Sequence, residues 1–148
     1  PAGITEAIRK VHDFLTVGAP APLQEGLAVA MDTLGREYYD KMAADYRRRC
    51  DLLLPAITAA GFTAIAPQGA YYILADFSAL SDQDDTTFAH WLARERGVAT
   101  VPGSSFFSRP EAGRHLGRFV FCKTDDLLHE AATRLLGGGH RDAKDVQR

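Results

Sequence analysis

Cysteine is scarce in this chain, with two in 148 residues, Cys50 and Cys122. They lie far apart in segments that read as buried, which excludes a disulfide scaffold and points to free thiols in a reducing cytoplasm. Charge of one sign is missing too. The formal net charge is -2, and basic residues are scattered along helical stretches, so the chain has no electrostatic footprint for nucleic acid. The short run Arg47-Arg48-Arg49 reads as one solvated helix face. No stretch approaches the roughly 18 uninterrupted apolar residues of a membrane span, and no signal peptide opens the chain. His12, His90, His115, His129 and His140 show none of the spacings that put two imidazoles on one metal. Ser104 and Ser105 follow a glycine, but a glycine two before and two after a serine, as in a nucleophile elbow, is absent, so both read as turn residues.

What is present is ordinary globular composition, 46% hydrophobic and 24% charged. A chain of this length buries roughly 70% of the surface its unfolded form exposes, enough for a core of its own. The first residue is Pro1 rather than methionine, and a helical pattern begins almost at once, so the chain is expected to be a fragment.

Periodicity predicts helices and short strands without repeats. Ile4, Ile8, Val11, Phe14 and Leu15 share one helical face that ends near Thr16-Val17-Gly18. Pro22 suits the first turn of a second helix bearing Leu23, Leu27, Ala30, Met31 and Leu34, with Gly35 as its stop. Tyr39, Met42, Ala43, Tyr46, Cys50, Leu53, Ile57 and Ala60 keep the 3.6 period of a long third helix, with a kink expected at Pro55. Strands are predicted at 62–66, 70–77, 98–101 and 118–122. A fourth helix begins at Asp84-Asp85 and buries Phe88, Trp91 and Leu92. Phe106 and Phe107 are read as anchored aromatics, and a last helix is capped by Thr124. The expected fold is α+β: helices over a small, mainly antiparallel sheet, followed from Gly137 by a polar tail expected to be disordered.

Arg118 stands out in Gly117-Arg118-Phe119-Val120-Phe121-Cys122. A planar guanidinium among strand aromatics calls for a carboxylate or phosphate partner. Alternation puts Arg118, Val120 and Cys122 on one face and Phe119 and Phe121 on the other. A buried structural ion pair is the competing reading. None of the four lysines, Lys10, Lys41, Lys123 and Lys144, sits in a sequence context that promises the desolvated pocket of a Schiff-base lysine.

Four ordered segments carry a family resemblance: AIRKVHDFLTVGAPAPLQ, GF followed by PQGAYYILADFS, GVATVPGSSFF and GRFVFCK. Together they resemble the carboxy-terminal part of class I/II aminotransferases, fold-type I pyridoxal-phosphate enzymes, in the kynurenine, aromatic and methionine branch. The resemblance covers residues 1–136. It implies interface and linking helices over 1–35 and a small domain over 36–136. It also implies a homodimer, amino acid and 2-oxo acid substrates, and pyridoxal 5'-phosphate in the intact parent.

By the same resemblance Arg118 binds the substrate α-carboxylate and Tyr71 lines the pocket. Val17 and Gly18 lie near the dimer interface, facing the neighbouring subunit's site, and they lack the bulkier side chains of some relatives. The cofactor's lysine and most ring and phosphate contacts belong to motifs absent here, so no catalytic or cofactor-binding residue is assigned and the chain by itself is expected to be inactive. An effector-sensing domain of a transcription regulator, a pyridoxal-phosphate lyase of the same fold and a stand-alone binding module remain alternative readings.

Overall fold

The computed structural model describes residues 2–16 and 18–137. The chain forms two compact units that divide between Lys41 and Met42. In the first, α1 spans Ala2–Thr16 and α2 spans Ala21–Thr33. Pro22 sits in the opening turn of α2, where its missing N–H leaves no bond unmade, and the Pro20 carbonyl accepts from the amides of Leu23 and Gln24 (3.0 and 3.2 Å). The apolar stripe of α1 is exposed throughout, with Phe14 at 87%.

The second unit holds the core. Helix α3, Arg36–Ala59, most of which belongs to this unit, runs unbroken through Pro55 and buries Cys50, Leu53, Ala56 and Ile57. Its earlier apolar positions, Tyr39 and Met42, are exposed, so the core begins about two turns later than periodicity suggested. Gly61, at φ +98°, ends the helix in a conformation that disfavours any side chain.

Four antiparallel strands follow: β1 (Thr63–Ala64), β2 (Tyr72–Asp76), β3 (Val101–Pro102) and β4 (Leu116–Val120), in the order β1-β2-β4-β3. Helix α4 (Asp85–Glu95) separates β2 from β3, and α5 (Asp125–Leu135) follows β4. The α+β expectation is met. Each predicted strand is present, but β4 starts two residues early, at Leu116, and β3 lies late, at Val101–Pro102. Glycine is a weak strand former, which hid Gly117. A Cβ here would be tight, meeting Thr100 Oγ1 at 3.0 Å.

Ile73, Ala75, Phe119 and Phe121 project from one face of the sheet and are all buried beneath Ile57, Phe88, Leu92 and Leu128 of the helices. Phe77 stacks on Phe88 at 4.0 Å between centroids, and Phe62 meets Phe119 edge-on at 5.3 Å. Such contacts add to the burial of each ring. Trp91, expected within this stripe, is 41% exposed; on α4 the turn that buries Phe88 and Leu92 carries Trp91 outward.

Two expectations, about the arginine run and the α5 cap, need correction. Arg48 and Arg49 are not a purely solvated face, for both pair with Asp125 at the start of α5, the second at 3.6 Å. This pulls the Asp125 carboxyl below its usual range, chiefly through the Arg48 hydrogen bond. Thr124 does stand at the N-cap of α5, but its side chain makes no capping bond. Both cysteines are free, Cys50 buried and Cys122 partly so. Burial raises the Cys50 thiol pKa and makes it less reactive.

Candidate carboxylate-binding site

The other face of the sheet is not closed over. Tyr72, Leu74 and Asp76 of β2 share it with Leu116, Arg118 and Val120 of β4, and all six are exposed or half-buried. Arg118 occupies an interior strand between Leu74 and Val101 in the register, so the backbone that carries it is hydrogen-bonded on both sides. The alternation read from the sequence is observed: Phe119 and Phe121 are buried, while Arg118 and Val120 are on the open side.

The guanidinium lies between two rings, with Cζ 4.1 Å from the centroid of Phe106 and 5.0 Å from that of Tyr72. Cation–π contacts hold it there without neutralising it. Among the described residues Arg118 forms no ion pair and no hydrogen bond, and its Nε is buried without a partner. A structural ion pair, the competing reading, is therefore not what holds it. Asp76, the acidic residue on this face of β2, accepts from the Ser78 amide at 2.7 Å instead. Its hydrogen bonds to Ser78 hold its pKa below the usual carboxylate range. A charged guanidinium without an anionic partner beside an open sheet face is chemically able to take one up.

Phe106 and Phe107, read as anchored aromatics, are 45% and 37% exposed, and what Phe106 packs on is Arg118. It ends a 3-10 turn, Gly103–Phe106, that confirms Ser104 and Ser105 as turn residues. A second 3-10 turn, Pro110–Gly113, lies directly against the first. Added Cβ atoms at Gly103 or Gly113 would meet backbone at 2.5–2.7 Å, so only glycine permits this approach.

Tyr71 is 46% exposed and meets Tyr72 edge-on at 5.7 Å. The tyrosine in contact with Arg118 is Tyr72, which was not singled out from the sequence. Pairing of Tyr72 with Val120 in β4 was the signal, because two positions along a strand share a face. Ala70, just before, sits at φ +61°, a left-handed conformation that costs a non-glycine residue about 1 kcal/mol. Val17 lies outside the described residues. Gly18 is exposed, with open space where a side chain would stand. A pocket of about 450 Å³ includes Arg118, Thr100, Val101 and Lys123 in its wall.

Lys10, Lys41 and Lys123 are all exposed, and Lys144 lies outside the described residues. Groups of three or more potential metal ligands are absent among the described residues. No helix among them is long and apolar enough to cross a membrane.

The family model "Aminotransferase class I and II" matches residues 2–135. The chain belongs to that family. It is 38% identical over 135 residues to the methionine aminotransferase of Escherichia coli K12, covering 91% of this chain and 34% of the relative. It is 31% identical to the kynurenine–oxoglutarate transaminase of Dictyostelium discoideum, covering 92% and 36%. Among solved structures, N-succinyldiaminopimelate aminotransferase from Mycobacterium tuberculosis superposes with a TM-score of 0.76 at 34% identity, covering 93% of this chain and 35% of that one. The aminotransferase chain thus spans about a third of the length of the relatives it matches.

Proposed function

We propose that this chain is the carboxy-terminal part of a pyridoxal-phosphate-dependent aminotransferase, and that Arg118 binds the α-carboxylate shared by its amino acid and 2-oxo acid substrates. The observation that carries this reading is an arginine clamped by Phe106 and Tyr72 on an open sheet face, with no counterion among the described residues. A guanidinium grips a carboxylate through two parallel N–H···O bonds, so the same group receives either substrate regardless of the side chain beyond. Tyr71 and Tyr72 form the adjacent wall.

The described residues by themselves do not fit pyridoxal phosphate. Its chemistry, acting as an electron sink, requires a lysine in a desolvated pocket, and the described lysines are exposed. In this reading the lysine and the ring contacts come from residues outside those described, and the chain alone is expected to be inactive. Residues 1–35 act in this reading as interface and linking helices of a homodimer, with Val17 and Gly18 towards the neighbouring subunit, and 36–136 form the small domain. The exposed stripe of α1 supports such an interface, and the two free cysteines support a cytoplasmic setting.

The test is Arg118→Ala in the complete protein. The Michaelis constant for amino acids rises strongly while the bound cofactor's absorbance stays intact; unchanged substrate affinity overturns the assignment.

A further inference from the structure

Asp85 stands out as a buried charge outside the site. It is 5% exposed, and it pairs with no cation among the described residues. Capping of α4 does not explain it, because Asp84 already caps the helix, accepting from the Thr87 amide at 2.8 Å and the Thr87 hydroxyl at 3.1 Å. A buried carboxylate without a cation is costly unless strong hydrogen bonds offset its lost hydration. Asp85 has two: Oδ1 accepts from the Thr86 amide at 3.0 Å, and Oδ2 accepts from the Ser104 amide at 2.6 Å. The second is long-range and reaches the turn that ends in Phe106.

We propose that Asp85 is a positioning residue of the carboxylate site, acting through the Gly103–Phe106 turn to hold the Phe106 ring on Arg118. The proposal deepens the reading of Arg118 given above and rests on it. Phe106 is half-exposed, so burial of its ring is not what places it. The turn is instead held on three sides. Pro102 pairs with Gly117 in β4, the backbones of Gly103 and Gly113 touch, and Asp85 grips the Ser104 amide. A turn held this way delivers the ring to 4.1 Å from the guanidinium. The ring and Tyr72 restrict the rotamers of Arg118, so less side-chain freedom is lost when a carboxylate binds.

Two readouts test this. In the 148-residue chain, the nitrogen-15 correlation signal of Arg118 Nε–H is expected to be displaced by the rings beside it. Asp85→Asn cannot accept both amides, and Phe106→Leu removes the ring. Both are expected to move the signal in the same direction, towards that of an exposed arginine, whereas Phe106→Tyr leaves it in place. In the complete enzyme Asp85→Asn raises the Michaelis constant for amino acids about two- to tenfold, the loss expected for one side chain no longer pre-ordered, with kcat within about twofold.

An unmoved Arg118 signal in folded Asp85→Asn overturns the proposal, as does a fall in kcat with the Michaelis constant unchanged. Should Asp85→Asn not fold, Asp85→Ala removes the same bond together with the buried carboxylate and must give the same shift. A moved signal with no effect of Arg118→Ala on substrate affinity sinks the carboxylate reading instead, so the two failures are distinguishable.

Discussion

The two faces of the sheet are built from the same strands yet differ in what completes them. Ile73, Ala75, Phe119 and Phe121 on one face are each no more than 3% exposed, and helices of the same chain close over them. On the other face Tyr72, Leu74 and Arg118 are left open, and the arginine is held by rings but neutralised by nothing among the described residues. The comparison teaches that a strand can spend alternate residues on stability and on recognition. A single strand, β4, carries Phe119 for the first purpose and, in the proposed reading, Arg118 for the second, on adjacent positions.

Substitutions on the two faces should therefore fail differently. Phe119→Ala removes a ring packed against Phe62 in the core and should cost about 3–5 kcal/mol of unfolding free energy, read by chemical denaturation. A loss below about 1 kcal/mol would show that the closed face is not what stabilises the unit. Arg118→Ala should do the reverse, leaving the denaturation midpoint of the chain nearly unchanged while lowering kcat/KM of the complete enzyme by about two orders of magnitude or more, as for a lost bidentate charge pair. Arg118→Lys should rescue little, since an ammonium cannot reproduce the fork.

Gly103→Ala sharpens the boundary between the faces. Its methyl would meet Leu116 and Gly113 at 2.6–2.7 Å, so a loss of about 1–3 kcal/mol is expected, with weakened substrate binding as the turn shifts. Full stability in this variant would show that the turns have room to separate. The smallest effect concerns acid. Asp76, Asp84 and Asp125 have depressed folded pKa values, from hydrogen bonds to Ser78, to Thr87 and to Arg48 respectively. Their contribution is present above the ordinary aspartate pKa of about 3.9 and is lost as pH falls through the lower folded values. Asp125→Asn should flatten the acid limb of a stability-versus-pH curve slightly; a steeper limb would contradict the sign.

Much of this was legible beforehand where one periodicity dominates. The 3.6 repeat marked Leu53 and Ile57, and the two-residue alternation separated Phe119 from Arg118. It failed where neighbours decide. Tyr72 and Tyr71 look alike in sequence, and only the pairing of Tyr72 with Val120 turns one of them to Arg118. Asp85 looked like a second acid at a helix start, because a bond to an amide nineteen residues away leaves no trace in local pattern. Trp91 was misread as interior, since an aromatic side chain states its hydrophobicity but not whether a partner covers it.

The amino-acid order by itself determined the class of fold, the strand that bears the arginine and the face it takes, because these follow from backbone geometry and local period. Only the tertiary structure decided that Arg118 lacks a counterion among the described residues, that Phe106 and Tyr72 flank it, and that Asp85 secures the turn behind Phe106. Those are relations between residues distant in the chain, and they arise only when packing brings strand, turn and helix together.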